Sequence, residues 1–277
     1  MAFANGFDVL GHGFEYLLGK NDVRVVTVTD TTSEGTLAQP ATPAAPVYYI
    51  AFDAGYGDYG GSIAGEHPPA RREILNTIVP VLAKQGYLLA TKAHPPTIAL
   101  FWTWGTMNVD IRGDERGNDT QINHGQMLRF MGAYKLGLVT KEPSIAEQDL
   151  AVGLLLQDAT TESIERAARD HLDIVAIFAY DYQSFRQKEK KLLWTTKISC
   201  PSPGLQMTVT IPSMLAIAGP YIGRETPTPV LVKATDRFKP EVKIGELTTM
   251  KADSTSIIEA TADDLRSIFE ARHLSAK

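Results

Sequence analysis

The sequence predicts an α+β fold, with a mixed sheet built from two strand/helix units and peripheral helices. Three observations carry that expectation. Strand-like runs come in two sets, "VYYIAFDA" (47–54) with "TIALFWTWGTM" (97–107), and "LDIVAIFAYDY" (172–182) with "KKLLWTTKIS" (190–199). Both sets are dense in β-branched and aromatic residues, which suit a pleated, half-buried surface. One amphipathic helical stretch accompanies each set, "PARREILNTIVPVLAKQG" (69–86) in the first and "IPSMLAIAGPYIG" (211–223) in the second. Finally, the chain has 277 residues, 44% hydrophobic and 21% charged, an ordinary globular composition with enough length for a sizeable core.

Taken in order, "VRVVTVT" (23–29) reads as a strand and "DTTSEGTLAQPATPAAP" (30–46) as an extended surface linker almost without large apolar side chains. Residues 1–46 are therefore set apart as an N-terminal segment and linker, 47–235 as the α+β domain, and 236–277 as a C-terminal extension with a helix. In 69–86, Ile74, Ile78, Val81 and Leu82 fall at helical spacing. Pro69 suits the first turn, Gly86 suits the residue after the end, and Pro80 removes one backbone bond and should bend the helix near Asn76. "YLLAT" (87–91) is a further strand, and 121–137 reads as a helix. Ser144 and Glu147 form an S-x-x-E capping box before another helical stretch; 161–172 reads either as its continuation or as a new helix after a break near Asp158. The charged "QSFRQKEK" (183–190) reads as a hairpin connection, and Thr261 with Asp264 opens a final helix.

Charge and cysteine content exclude several classes. The net charge is -5 and no basic stripe interleaved with aromatics exists, so a nucleic-acid footprint is missing. Cys200 is the one cysteine, which excludes an intramolecular disulfide and a cysteine zinc cluster. No run of 18 apolar residues suggests a transmembrane segment. The six histidines show no metal-ligand spacing, and the sequence calls for no cofactor and no metal.

Gly55-Tyr56-Gly57-Asp58-Tyr59-Gly60 matches G-x-G-x-x-G after a strand. A dinucleotide site also needs a helix N-terminus directly behind the glycines. Here "SIAGEHPPA" (62–70) intervenes, and Thr91 and Lys92 stand where an acidic residue is expected. An NADP-dependent oxidoreductase is therefore the third reading, and a tightly folded Tyr/Gly loop over the sheet end is the first. Its Tyr56, Gly57, Tyr59 and Gly60, with Trp102 and Trp104 two apart on one strand face, are the candidate contact residues. The second reading is a hydrolase with Asp53, Asp58 and His67 around that loop, joined by His94 or by Asp181 if the two carboxylates share a sheet edge. G-x-S-x-G is absent, and Cys200 reads as a small half-buried residue at a strand end.

Three stretches together carry a resemblance: "REILNTIVPVLAKQGYLLATKAHPPTIALFWTWG", "IVAIFAYDY" followed by "KKLLWTTKIS", and "IPSMLAIAGPYIG". Their order is similar to a family of bacterial envelope lipoproteins, whose domain pairs a helix ending in Gly-Tyr with a later Asp…Leu-Trp strand pair. The resemblance covers roughly 47–107 and 172–223; residues 108–171 separate the halves, and no lipobox cysteine lies near the N-terminus. It implies an exported α+β protein without known catalytic residues. The expected function is then a non-enzymatic envelope protein that binds a protein or glycan partner. Its expected address is periplasmic or secreted if a signal peptide has been removed, and cytoplasmic otherwise.

Overall fold

The computed structural model describes residues 24–38, 40–59, 68–109, 122–142, 158–202 and 206–233. Among them seven strands form one sheet: β1 Arg24–Thr31, β2 Val47–Tyr59, β3 Tyr87–Leu89, β4 Ile98–Met107, β5 Leu172–Asp181, β6 Leu192–Pro201 and β7 Val230–Lys233. Their order is β3-β2-β4-β5-β6-β1-β7. β2 runs parallel to β3 and β4, and the remaining pairs are antiparallel, so the sheet is mixed and the fold is α+β. The helices are α1 Ser33–Leu37, α2 Arg71–Lys84, α3 His124–Phe130, α4 Ala159–Ala167, α5 Tyr182–Arg186 and α6 Met207–Ala218. Among the described residues no helix is long and apolar enough to cross a membrane.

Strand alternation divides the buried side chains between two cores. On one face Trp102, Trp104, Val175, Ile177 and Ile198 meet α2 and α6. α2 offers the stripe Ile74, Ile78 and Leu82, whereas α6 is buried around most of its circumference. On the other face Val26, Met107, Leu172 and Ile174 meet Met127 and Leu128 of α3 and Ile164 of α4. The sheet is thus the middle of three layers.

Helix ends follow local chemistry. Ala70 N–H donates to Glu73 Oε2 at 3.0 Å at the start of α2. Gly86 ends the helix with φ +92°, and a Cβ there would lie 2.3 Å from the Thr42 carbonyl. α2 runs through Pro80, which faces solvent, as does Asn76 whose carbonyl loses its partner. Asp158 caps α4 through the Thr161 N–H at 2.7 Å.

Four expectations need correction. The stretch 121–137 is not one helix: α3 stops at Phe130, and Gly132 at φ 82° turns the chain into a short 3₁₀ helix, Ala133–Leu136. The connection 183–190 is not a plain hairpin, because Asp181 caps the single-turn helix α5 inside it. β1, which the sequence sets apart within 1–46, lies between β6 and β7 in the sheet. β2 does not end at Ala54 but continues to Tyr59. The capping pair Ser144 and Glu147, the extension 236–277 and the segment 1–20 lie outside the described residues.

Candidate functional site

The glycine-rich stretch is mostly strand rather than loop. Gly55 to Tyr59 pair with Thr103 to Met107 of β4, after a bulge between Asp53 and Gly55. Thr103 Oγ1 donates to the Gly55 carbonyl at 2.8 Å. Two glycines make the pairing sterically possible. A Cβ on Gly105 would stand 1.7 Å from the Gly57 carbonyl oxygen, and one on Gly57 would meet the Tyr59 ring at 2.4 Å. The tight phosphate-cradling turn of a dinucleotide motif is therefore absent over Gly55–Tyr59. Gly60 and His67 lie outside the described residues.

The pairing leaves β2 one-sided. β3 covers only Val47 to Tyr49, so beyond Tyr49 the outer edge of β2 has no partner strand among the described residues. Tyr56 and Tyr59 are exposed on this far part of the strand, at 37% and 38%. These two tyrosines, expected as contact residues, are thus presented by a strand and not by a loop.

Of the predicted carboxylates and histidines, the described ones, Asp53, Asp58, His94 and Asp181, each have separate local partners. Asp53 accepts from Gly55 N–H at 2.8 Å and from Arg71 Nε at 2.5 Å, which ties the bulge to the start of α2. Its carboxylate is 4% exposed, so this is a latch. Asp58 accepts from Thr106 Oγ1 at 3.4 Å. His94 stacks on Tyr48 with ring centroids 4.5 Å apart. Tyr48 is five residues before Asp53 on β2, about 16 Å along an extended strand. Asp181 is not beside Asp53 either. β4 lies between the two strands, β5 runs antiparallel to it, and Asp181 stands level with Ile98 while Asp53 stands level with Trp102. Asp181 instead accepts from Ser184 N–H at 2.8 Å, and this bond counters the effect of desolvation to hold its carboxyl below the usual range.

Trp102 and Trp104 do share a face, as their spacing requires, but it is the inner one. They are 1% and 3% exposed and cannot form a stacking platform. Cys200 is fully inside, and burial pushes its thiol well up, so the nucleophilic thiolate is suppressed. Among the described residues no group of three or more His, Cys, Asp or Glu side chains has metal-binding geometry.

Sequence reading missed a polar cluster on the face that carries the short 3₁₀ helix. Lys135 Nζ donates to the carbonyls of Thr29 and Thr226, at 2.8 and 2.6 Å, and to Glu225 Oε1 at 2.6 Å. Tyr134 donates to Asp30 Oδ2. Lys197 Nζ sits 5.5 Å from the Tyr134 ring centroid. Desolvation lowers the Lys197 pKa, Asp30 opposes that shift, and Lys141 and Lys135 add to it. The only local sign in sequence is a lysine in the middle of the run "LLWTTKIS".

No family model and no curated protein sequence matches the chain. Distant likeness to solved structures is found, of which two serve as examples. One is a dodecamer of a point variant of PelC from Paraburkholderia phytofirmans, at 9% identity and TM-score 0.31, covering 72% of this chain and 99% of that one. The other is a PDZ domain protein from Parabacteroides distasonis ATCC 8503, at 13% identity and TM-score 0.34, covering 82% of this chain and 42% of that one. Likeness at this level carries no functional argument.

Proposed function

We propose that the chain is a non-enzymatic binding protein that receives an extended segment of a protein partner along the outer edge of β2. The observation that carries this reading is the one-sided strand. β3 covers only Val47 to Tyr49, and the strand beyond it carries Tyr56 and Tyr59, exposed at 37% and 38%. A strand edge is a template for one more strand, and flanking side chains supply selectivity. Tyrosine adds contact area at low entropic cost. An envelope address rests on the sequence resemblance alone; fractionation of cells expressing the tagged natural gene product would test it.

The edge reading is tested with a displayed peptide library selected on the purified chain. A selected peptide is expected to bind and to lose affinity when alternate backbone amides are N-methylated. Y56A/Y59A is expected to weaken binding about tenfold or more, within the range for interface aromatics, with an unchanged melting curve. Binding that tolerates both changes, or no binding peptide at all, would remove the edge from the account.

A further inference from the structure

The polar cluster around Tyr134 holds one ammonium that its neighbours leave uncommitted, that of Lys197. In the register of the sheet Lys197 stands opposite Val28 of β1 and Ala176 of β5, both buried and apolar. No carboxylate therefore lies directly across from it. Asp30 and Phe178 are its diagonal neighbours, because both stand opposite Thr195, two residues away on β6. Such diagonal pairs lie about 7–8 Å apart, within reach of long and aromatic side chains.

Asp30 is the carboxylate best placed to pair with Lys197, and it is engaged elsewhere. Tyr134 donates to its Oδ2, and Lys135 and Lys141 approach its Oδ1 at 3.3 and 3.9 Å. Lys135 also holds Glu225 at 2.6 Å. Lys197 Nζ consequently has no ion pair or hydrogen bond among the described residues, and it rests 5.5 Å from the centre of the Tyr134 ring. The residue is half-buried, and its Nζ is not sealed from water. Desolvation lowers its pKa; Asp30 and Glu142 oppose that shift, and Lys141 and Lys135 add to it. A lysine on an apolar floor beside other cations keeps a lone pair available for attack on a carbonyl.

Phe178 supplies a surface for what the amine would capture. It is half-buried and makes no ring contact among the described residues, whereas Phe52, Phe101 and Phe185 pack against one another further along the face. The other two lysines of the cluster are unsuited to this role. Lys135 is pinned by the Thr29 and Thr226 carbonyls and by Glu225, and Lys141 is exposed at the far side of Asp30. An amine without a counter-ion, beside an aromatic ring with its face unoccupied by another ring, suits a small aromatic aldehyde.

We propose that Lys197 is a covalent capture site for a small aromatic aldehyde, which it holds as an imine with the aldehyde's ring against Phe178. Nζ adds to the carbonyl carbon as one nitrogen proton passes, through water, to the carbonyl oxygen. The resulting hydroxyl then leaves with the second nitrogen proton as water, and the C=N bond forms. The test incubates the full chain with benzaldehyde or with propanal, traps imines with cyanoborohydride and maps the modified lysines by peptide mass spectrometry. At neutral pH benzaldehyde is expected to label Lys197 about tenfold faster than the exposed Lys84 and Lys92, as for an activated amine. Its rate is expected to level off at a lower pH than theirs. The benzaldehyde-to-propanal ratio at Lys197 is expected to exceed the ratio at Lys84 and Lys92. F178L, which keeps an apolar side chain, is expected to bring that ratio down to theirs and to leave propanal labelling unchanged. Labelling of Lys197 no faster than that of Lys84, or the same aldehyde ratio at all three lysines, would each overturn the proposal. The site is separate from the β2 edge: Y56A/Y59A is expected to leave the labelling unchanged, and K197M to leave peptide binding unchanged, so the two readings stand or fall separately.

Discussion

Lys197 occupies mid-strand β6, with its ammonium facing the Tyr134 ring and no carboxylate within ion-pair reach among the described residues. Burial disfavours the charged form, so its folded pKa lies below the ordinary 10.5. Between the folded value and 10.5 the unfolded chain therefore holds more protons, and this residue makes stability rise with pH across that window. Below the window its full cost is present. K197M is expected to raise the melting temperature at pH 7 by about 2–4 °C, corresponding to ~1 kcal/mol at this size. The gain over wild type should shrink as pH approaches 10.5. Paired calorimetric scans from neutral to alkaline pH check this; a variant that loses stability would show that the contact with Tyr134 outweighs desolvation.

β2 and β4 depend on each other through glycine. Placing a methyl on Gly105 drives it into the Gly57 carbonyl, so the far part of β2 must move away from β4. G105A is expected to cost roughly 1–3 kcal/mol, the usual range for overpacking. Amide exchange should quicken at Gly55 to Tyr59 while β5 and β6 stay protected. Uniform loss of protection would instead mean that this strand end is coupled to the whole sheet. The same contact explains why the element reads as a loop in sequence. Gly55, Gly57 and Gly60 have the look of turn residues in a linear reading, and the strand role of Gly57 depends on Gly105, 48 residues later. Elements whose signal is local were legible: the stripe Ile74, Ile78 and Leu82, the Gly86 stop, and the runs that became β4, β5 and β6. The two-residue spacing of Trp102 and Trp104 implied their shared face, but spacing cannot say which face is inside. The polar cluster was illegible because only the folded sheet brings Asp30, Tyr134, Lys135, Lys197 and Glu225 together.

At the level of the whole molecule, β1 closes the sheet and depends on long-range contacts. It pairs with β6 from Val26↔Ser199 to Thr31↔Trp194, and with β7 from Arg24↔Lys233 to Thr27↔Val230. Val25 enters one core while Val26 enters the other. The Thr29 hydroxyl is 2.7 Å from that of Thr196 and donates to the Tyr221 carbonyl at 2.8 Å. Contacts this distant in sequence carry a large ordering cost before they stabilise anything. Removing residues 1–46 would leave β6 as a long edge beside an opened core and strip β7 of its neighbour. A chain of residues 47–277 is therefore expected to lose its cooperative thermal transition and to aggregate through the β6 edge. A synthetic peptide spanning residues 24–38, added during refolding, is expected to restore part of the cooperative transition by supplying β1 and α1 in trans. Circular dichroism melts with and without the peptide measure both effects. A truncated chain that melts cooperatively at the full-length temperature would show that β1 is dispensable, and that the two strand/helix units form a self-sufficient sheet.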